Sequence, residues 1–113
     1  MTTFDVFLFY NEVNLCELRM QIMNPAVDYF VIGEAVETHS GLRKPMFFDQ
    51  HRKLFAEFEE KIIYVPIEKR FEGTNFERDR FQREELFNEL SRYCNPDDLL
   101  VIGDLDEIPN PDV

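Results

Sequence analysis

Four continuous apolar runs recur along the chain, each followed by a polar segment. They occupy residues 4–10 (FDVFLFY), 28–34 (DYFVIGE), 61–67 (KIIYVPI) and 99–103 (LLVIG). Runs of this length without polar alternation are typical of strands buried on both faces, as in a parallel sheet. Periodicity alone does not separate such strands from short buried helices, so the spacing between the runs must decide.

The segments between these runs predict three helices, at Glu12–Met23, Phe47–Glu60 and Phe76–Tyr93. Asn11 is the expected N-cap of the first, and Thr74 or Asn75 that of the third. The first carries apolar residues at helical spacing, namely Leu15, Leu18 and Ile22. The resulting order, β-α-β-α-β-α-β, predicts an α/β fold, a Rossmann-like parallel sheet with crossover helices.

Composition and net charge limit the classes of binding partner that the chain is expected to have. The 113 residues are 44% hydrophobic, with 12 phenylalanines, and carry a formal net charge of −11. A core is therefore expected, and nucleic acid and anionic membrane surfaces are excluded as partners, since both require a basic face. The last part of the chain holds carboxylates and no Lys or Arg, at Asp97, Asp98, Asp104, Asp106, Glu107 and Asp112. Such a run is either a solvated tail or a cation site.

The chain shows no sign of a disulfide framework, a zinc site or membrane insertion. Cys16 and Cys94 fit no motif spacing, and no apolar run approaches the length of a membrane span. Because no signal segment is apparent, a cytoplasmic location is expected. The chain stops one loop after its fourth run, so we expect residues 1–113 to be the N-terminal half of a larger domain, whose exposed sheet edge would favour self-association.

The acidic motif Asp104-Leu105-Asp106 follows the fourth run directly. Residues i and i+2 of a strand share a face, where two carboxylates repel unless a cation or solvent separates them. Mg²⁺ and Mn²⁺ favour such oxygen ligands together with substrate phosphates. An isolated Asp-x-Asp also fits a solvated loop, and a Mg²⁺-dependent phosphotransferase or phosphatase would use the same carboxylates. Its place after a buried strand favours a metal site on Asp104 and Asp106.

Further candidates lie where ligands bind in open α/β sheets, outside the carboxyl ends of the strands. Asn11 and Glu12 follow the first strand and could contact a nucleoside, or could simply begin the helix. Glu34 ends the second strand, where a carboxylate commonly accepts from a ribose, although it could be solvated. His39 and Lys44 lie in the polar loop after it. His39 could contact the donor or the acceptor, and Lys44 could neutralise a phosphate, although most such loop residues are only solvated.

Arg83 lies on a predicted helical stripe with Phe87, Leu90 and Cys94. An arginine on an apolar stripe is unlike a solvated residue, and its guanidinium fork suits a diphosphate. The alternative is a pair with an acidic neighbour, or an extended side chain that reaches the surface. Arg80 is expected to pair with Glu77 or Glu84 at helical spacing instead.

The chain resembles the family 17 glycosyltransferases, whose best-known members are β-1,4-mannosyl-glycoprotein N-acetylglucosaminyltransferases. The resemblance covers essentially the whole chain and rests on motifs in the right order. They are residues 4–12 (FDVFLFYNE), 17–20 (ELRM), 27–32 with Glu34, 38–41 (THSG), 44–45 (KP) and 61–65 (KIIYV). The strongest match is 97–109 (DDLLVIGDLDEIP).

This resemblance implies a GT-A-like fold, an inverting transfer and a UDP-sugar donor, usually UDP-N-acetylglucosamine. The expected cofactor is Mn²⁺ or Mg²⁺, and the acceptor is a glycan or glycoprotein. Asn11, Glu12, Glu34, Arg83 and Asp104 become the candidate donor-binding residues. Family members continue well beyond the Asp-x-Asp, so the catalytic base is expected beyond Val113. The rival interpretations are a non-catalytic nucleotide-binding fragment, a phosphotransfer enzyme and a plain acidic interaction module.

Overall fold

A computed structural model describes residues 1–38 and 40–103 of the chain. Its core is a four-stranded sheet in the order β3-β2-β1-β4, in which every neighbouring pair is parallel. The strands are β1 (Thr3–Leu8), β2 (Tyr29–Ala35), β3 (Ile62–Ile67) and β4 (Leu99–Ile102). The predicted α/β architecture with a parallel sheet is therefore confirmed.

Helical segments cover both faces of this sheet. They are α1 (Val13–Met23), a 3-10 turn (Asn24–Ala26), α2 (Phe47–Gln50), a 3-10 segment (Arg52–Lys61) and α3 (Asn75–Leu90). Alternate strand residues point to opposite faces, which gives two apolar clusters. One cluster joins Phe7, Phe30 and Ile32 to α1 and the 3-10 segment. The other joins Val6 and Val31 to α3. Among the described helices, none is long and apolar enough to cross a membrane.

Helix α1 buries a different face from the predicted one. Leu18 is 48% exposed and Ile22 36%, whereas the buried residues are Cys16, Arg19, Met20 and Met23. The reason is an ion pair inside the fold. The guanidinium of Arg19 donates to both carboxylate oxygens of Asp5 in β1, at 3.0 and 2.6 Å, and both side chains are fully buried. This pair turns the helix toward the sheet.

The predicted helix over 47–60 is wrong as a continuous α-helix. After one α-helical turn, His51 leaves helical geometry at φ −106° and ψ 20°, and its Nδ1 lies 2.8 Å from the Phe47 carbonyl oxygen. A second break falls at Phe55 (φ −107°, ψ 18°). These breaks accompany the burial of Phe48, Phe55 and Phe58. Phe48 and Phe55 are both fully buried and stack with ring centroids 4.6 Å apart.

Helix α3 follows its sequence signals at the N-terminus. Thr74 is the N-cap, and its hydroxyl accepts from the Glu77 N–H while the Glu77 carboxylate accepts from the Thr74 N–H. This reciprocal capping box satisfies two otherwise unpaired donors. The expected partner of Arg80 is Glu84, with Nε and Oε1 3.1 Å apart. The helix thus begins where the cap predicts.

Candidate functional site

The strand order places the carboxyl end of β1 beside that of β4. Val6 is in register with Ile102, while the remaining strands continue from the other side of β1. Strand order therefore reverses between β1 and β4, and open α/β sheets bind ligands in the crevice formed at such a point. In sequence, Asp104 comes one residue after Gly103. Asp104, Asp106 and His39 lie outside the described residues, so their predicted contacts remain predictions.

A pocket of about 350 Å³ opens at this edge of the sheet. It collects residues from the end of β1, the loop after β2 and the start of α3. They are Tyr10, Asn11, Thr38, Ser40, Lys44, Phe47 and Asn75. Such a volume lies at the lower end of the range for small-molecule sites. Of the predicted donor-binding residues, the structure brings Asn11 to this pocket.

The segment that follows β1 departs from the predicted helix cap. Glu12, not Asn11, occupies the N-cap position of α1, and its side chain makes no capping hydrogen bond. Asn11 is exposed, so its carboxamide is presented at the pocket. The Oε2 oxygen of Glu12 is buried and, within the described part of the chain, accepts no hydrogen bond. A buried carboxylate oxygen without a protein partner is costly, and an ordered water, an ion or a ligand would satisfy it.

Glu34 lies one residue before the end of β2 and is fully buried, and its predicted contact with a ribose stays a prediction. Its carboxylate accepts from the Lys44 ammonium at 3.0 Å, the Phe48 N–H at 3.1 Å and the Tyr64 hydroxyl at 2.7 Å. Burial and the hydrogen bond to Glu34 raise the pKa of Tyr64. Glu34 therefore anchors Lys44 and the start of α2 from within the core.

A second buried network joins the loops around the pocket. The Tyr10 hydroxyl donates to Oε1 of Gln82 at 2.9 Å, and the Gln82 Nε2 donates to the Glu37 carbonyl at 3.0 Å. The Glu37 carboxylate in turn accepts from the Arg70 Nε and the Phe71 N–H, at 3.2 and 2.8 Å. These hydrogen bonds join the residues after β1, helix α3, the loop after β2 and the loop after β3 beside the pocket.

The loop after β2 is a tight hairpin-like turn. Glu37 and Arg43 form an antiparallel bridge, and the Thr38 N–H donates to the Leu42 carbonyl at 2.8 Å. Gly41 has φ +85°, and a Cβ there would lie 2.6 Å from Cζ of Arg78. Glycine suits this position because it adopts a positive φ without strain and has no Cβ to clash with Arg78. The turn presents Thr38 and Ser40 to the pocket.

Arg83 lies beside the buried stripe of α3 rather than on it. The buried residues of this helix are Gln82, Leu86 and Leu90, whereas Phe87 is 37% exposed. The Nε of Arg83 donates to Oδ2 of Asp79 at 3.1 Å, one helical turn earlier. The acidic neighbour considered as the alternative is therefore present, and contact with a diphosphate stays a prediction.

Within residues 1–38 and 40–103, no three His, Cys, Asp or Glu side chains lie close enough together to hold a metal ion. A metal held by Asp104 and Asp106 stays a prediction, since both residues lie outside this part of the chain. Glu12 is the described carboxylate that could assist, because its Oε2 has coordination capacity to spare. Carboxylate oxygens are the ligands that Mn²⁺ and Mg²⁺ prefer.

The comparisons with known proteins decide the family. The model of glycosyltransferase family 17 matches residues 1–113, the whole chain. This chain belongs to glycosyltransferase family 17. Neither the search of curated proteins nor that of solved structures gave a match. The resemblance read from the motifs is thus confirmed, and the phosphotransfer alternative is set aside in favour of glycosyl transfer.

Several residues that shape this glycosyltransferase site were missed from the sequence. Asp5 interrupts an apolar strand, which signals a buried partner, yet Arg19 was not paired with it. Gln82 lies at the centre of the buried face of α3, and a polar residue there indicates a hydrogen-bonded role. Lys44 lies in a loop, where most lysines are solvated, yet it is only 8% exposed. No sequence signal would have shown that Glu34 is its partner.

Proposed function

We propose that this glycosyltransferase transfers a sugar from a UDP-sugar, with N-acetylglucosamine as the sugar, to a glycan or glycoprotein acceptor. The donor lies across the crevice between β1 and β4, with Mn²⁺ or Mg²⁺ held by Asp104 and Asp106. The transfer is inverting, in keeping with the family resemblance. The supporting observation is the orphaned Oε2 of Glu12, which is buried at the point where strand order reverses.

The position of Glu12 explains why an unpaired carboxylate is tolerated. It precedes α1, where the positive end of the helix dipole favours a negative charge. Its Oε2 makes no hydrogen bond among the described residues, so it keeps an acceptor for an incoming cation or a ribose hydroxyl. The amide and hydroxyl groups of the pocket, such as those of Asn11, Thr38 and Asn75, could donate hydrogen bonds to the other oxygen atoms of the UDP-sugar.

The charge of each group suggests its role in the proposed reaction. The bound metal would act as a Lewis acid that neutralises charge on the leaving diphosphate. Asp104 and Asp106 would hold it, and Glu12 would contribute its unused oxygen directly or through water. Asn11 would orient the nucleoside from the end of β1. Deprotonation of the acceptor hydroxyl requires a general base, which we do not assign to any residue of this chain.

Calorimetry of UDP and UDP-N-acetylglucosamine, with and without Mn²⁺, tests this proposal. We expect binding that depends on Mn²⁺ and is abolished in Asp104→Asn/Asp106→Asn. Glu12→Gln keeps the size of the side chain but removes its charge, so we expect about a tenfold loss of affinity, equivalent to about 1.4 kcal/mol. Asp97→Asn is the matched control, because Asp97 is an exposed member of the same acidic run.

Three outcomes are informative. Metal-dependent binding that is lost in the double variant and kept in Asp97→Asn would support the donor site. Binding that Glu12→Gln leaves unchanged would remove Glu12 from it. Failure of the folded protein to bind UDP or UDP-N-acetylglucosamine under any condition would overturn the donor site proposed for this chain.

A further inference from the structure

We propose that the pocket of about 350 Å³ is a nucleobase subsite in which the Lys44 ammonium selects a ring carbonyl, and so selects uracil over cytosine. This inference rests on the proposed function, since it assigns one end of the donor to one group of residues. The supporting observation is the environment of Lys44, a buried lysine that lines the pocket.

Lys44 has an unusual environment for a lysine in a loop. Its side chain is only 6% exposed, and its ammonium donates to Oε2 of Glu34 at 3.0 Å and to the Pro45 carbonyl at 2.9 Å. An ammonium has three donor hydrogens, and the described residues take two of them. The Phe47 ring lies 5.5 Å from the nitrogen. No other described residue accepts the third hydrogen, and Lys44 is among the residues that line the pocket.

The charge around Lys44 favours a neutral ligand group over a diphosphate. The buried carboxylate of Glu34 already matches the positive charge at 3.0 Å. The other described residues that line the pocket are uncharged. A doubly charged diphosphate would gain little net attraction here, because Glu34 repels it nearly as strongly as Lys44 attracts it. A neutral ring with carbonyl groups gains a hydrogen bond without this opposition.

The lining also suits a flat heterocycle. The rings of Tyr10 and Phe47 provide apolar surface, and aromatic side chains stack well on nucleobases. Tyr10 is held in place by its hydroxyl, which donates to Gln82 at 2.9 Å. The amides of Asn11 and Asn75 offer both donors and acceptors for the ring edge. Stacking surface and neutral polar groups together fit a base better than a phosphate.

Lys44 distinguishes pyrimidines because an ammonium can only donate. Uracil carries an oxygen at C4 that accepts a hydrogen bond, whereas cytosine carries an amino group that donates. Two donors facing each other leave both unpaired, and sites that hydrogen-bond a substrate group reject analogues in which that bond is lost. The hydrogen bond to Glu34 also fixes the ammonium, so it cannot swing away easily from the mismatched base.

The test compares UDP with CDP, which share the ribose, the diphosphate and the metal requirement. Their affinity ratio therefore isolates the base, and it is insensitive to the folded fraction of the sample. We expect the wild-type protein with Mn²⁺ to prefer UDP by at least about tenfold. In Glu34→Gln/Lys44→Gln, which removes both buried charges together, the preference should fall to about threefold or less, because an amide can also accept from cytosine. Lys69→Gln, at an exposed lysine, should keep the wild-type ratio.

A second measurement uses the wild-type protein alone, so it does not depend on folding of a variant. The diphosphate of 4-thiouridine has sulfur, a weak acceptor, in place of the C4 oxygen, and we expect it to bind at least about fivefold more weakly than UDP. Equal binding of UDP, CDP and the thio analogue would overturn the inference and leave the proposed function standing. An undiminished preference in the double variant would overturn the role of Lys44. Failure of the wild-type protein to bind either nucleotide would overturn the proposed function itself.

Discussion

Two carboxylates at the carboxyl edge of the sheet, Glu34 and Glu12, differ in the hydrogen bonds that they accept from the protein. Glu34 in β2 is fully buried, and three protein groups donate to it, from Lys44, Phe48 and Tyr64. Glu12, after β1, has a buried oxygen to which no described residue donates. Both were equal candidates for the donor site when only the sequence was considered.

The difference distinguishes a carboxylate that stabilises the fold from one that is available to a ligand. A carboxylate whose lone pairs are filled by the protein stabilises the fold and has little left for a ligand. A carboxylate kept unsatisfied costs stability and is retained where binding returns that cost. In this glycosyltransferase Glu34 is therefore a structural residue, and Glu12 is the better candidate for contact with the proposed donor.

The largest expected effect comes from breaking the Glu34 side. Glu34→Ala leaves the Lys44 ammonium buried without its counterion and also removes the acceptor of Tyr64. We expect the free energy of unfolding to fall by about 3–5 kcal/mol, as for other buried pairs that lose one partner. Urea denaturation followed by circular dichroism measures it.

Glu12→Ala is the matched control for this loss. Glu12→Ala removes a buried oxygen that no described residue satisfies, so the free energy of unfolding should not fall and should rise by up to about 1–3 kcal/mol. Equal destabilisation by the two variants would refute the contrast between the two carboxylates.

A smaller effect is expected from the network behind the pocket. Gln82→Leu removes the acceptor of the Tyr10 hydroxyl and the donor to the Glu37 carbonyl, inside the buried face of α3. Two polar groups lose a partner, so we expect a loss of about 1–3 kcal/mol. Phe87→Leu is a comparison on the exposed side of the same helix, and its effect should be smaller. A Gln82→Leu protein as stable as wild type would show that water replaces the network.

The sequence was sufficient for the parallel sheet because its signals are local. Four apolar runs and the segments between them predict strands and crossovers, and the capping box at Thr74 predicts where α3 begins. The strand order, and with it the crevice between β1 and β4, follows from packing that no local pattern encodes. The same holds for the interruption at His51, where a side chain lies within hydrogen-bonding distance of a carbonyl of the helix.

Site residues were harder to predict because their roles depend on partners distant in sequence. Lys44 and Glu34 are ten residues apart, and only the turn at Gly41 brings the loop back over β2. Apolar spacing predicts Arg83 on the buried stripe of α3, yet the centre of that stripe is Gln82. Its two side-chain hydrogen bonds offset the cost of burying a polar group. Polar residues that the fold satisfies internally break the rule that apolar periodicity marks the buried face.

Asp98 offers the finest test, because it is paired like Glu34 but lies at the surface. Its carboxylate accepts from the Asn95 N–H at 2.7 Å and the Thr2 N–H at 3.0 Å, and these two hydrogen bonds lower its pKa below the ordinary 3.8. A lowered pKa means that the stabilisation is present above the unfolded-state pKa and is lost as pH falls through the folded-state pKa. Asp98→Asn, whose amide does not titrate, should therefore differ most from wild type at neutral pH.

We expect the urea midpoint of Asp98→Asn to lie slightly below that of wild type at pH 7, and the gap to narrow as pH falls below about 4. Asp97→Asn, at the exposed neighbour, should show no such narrowing. Glu77, whose pKa is lowered by its hydrogen bonds with Thr74, is common to all three proteins and cancels in the comparison. If the difference in urea midpoint stays constant from pH 7 to pH 3, the hydrogen bonds of the Asp98 carboxylate add no pH-dependent stability. Burial, and not hydrogen bonding alone, would then make Glu34 structural.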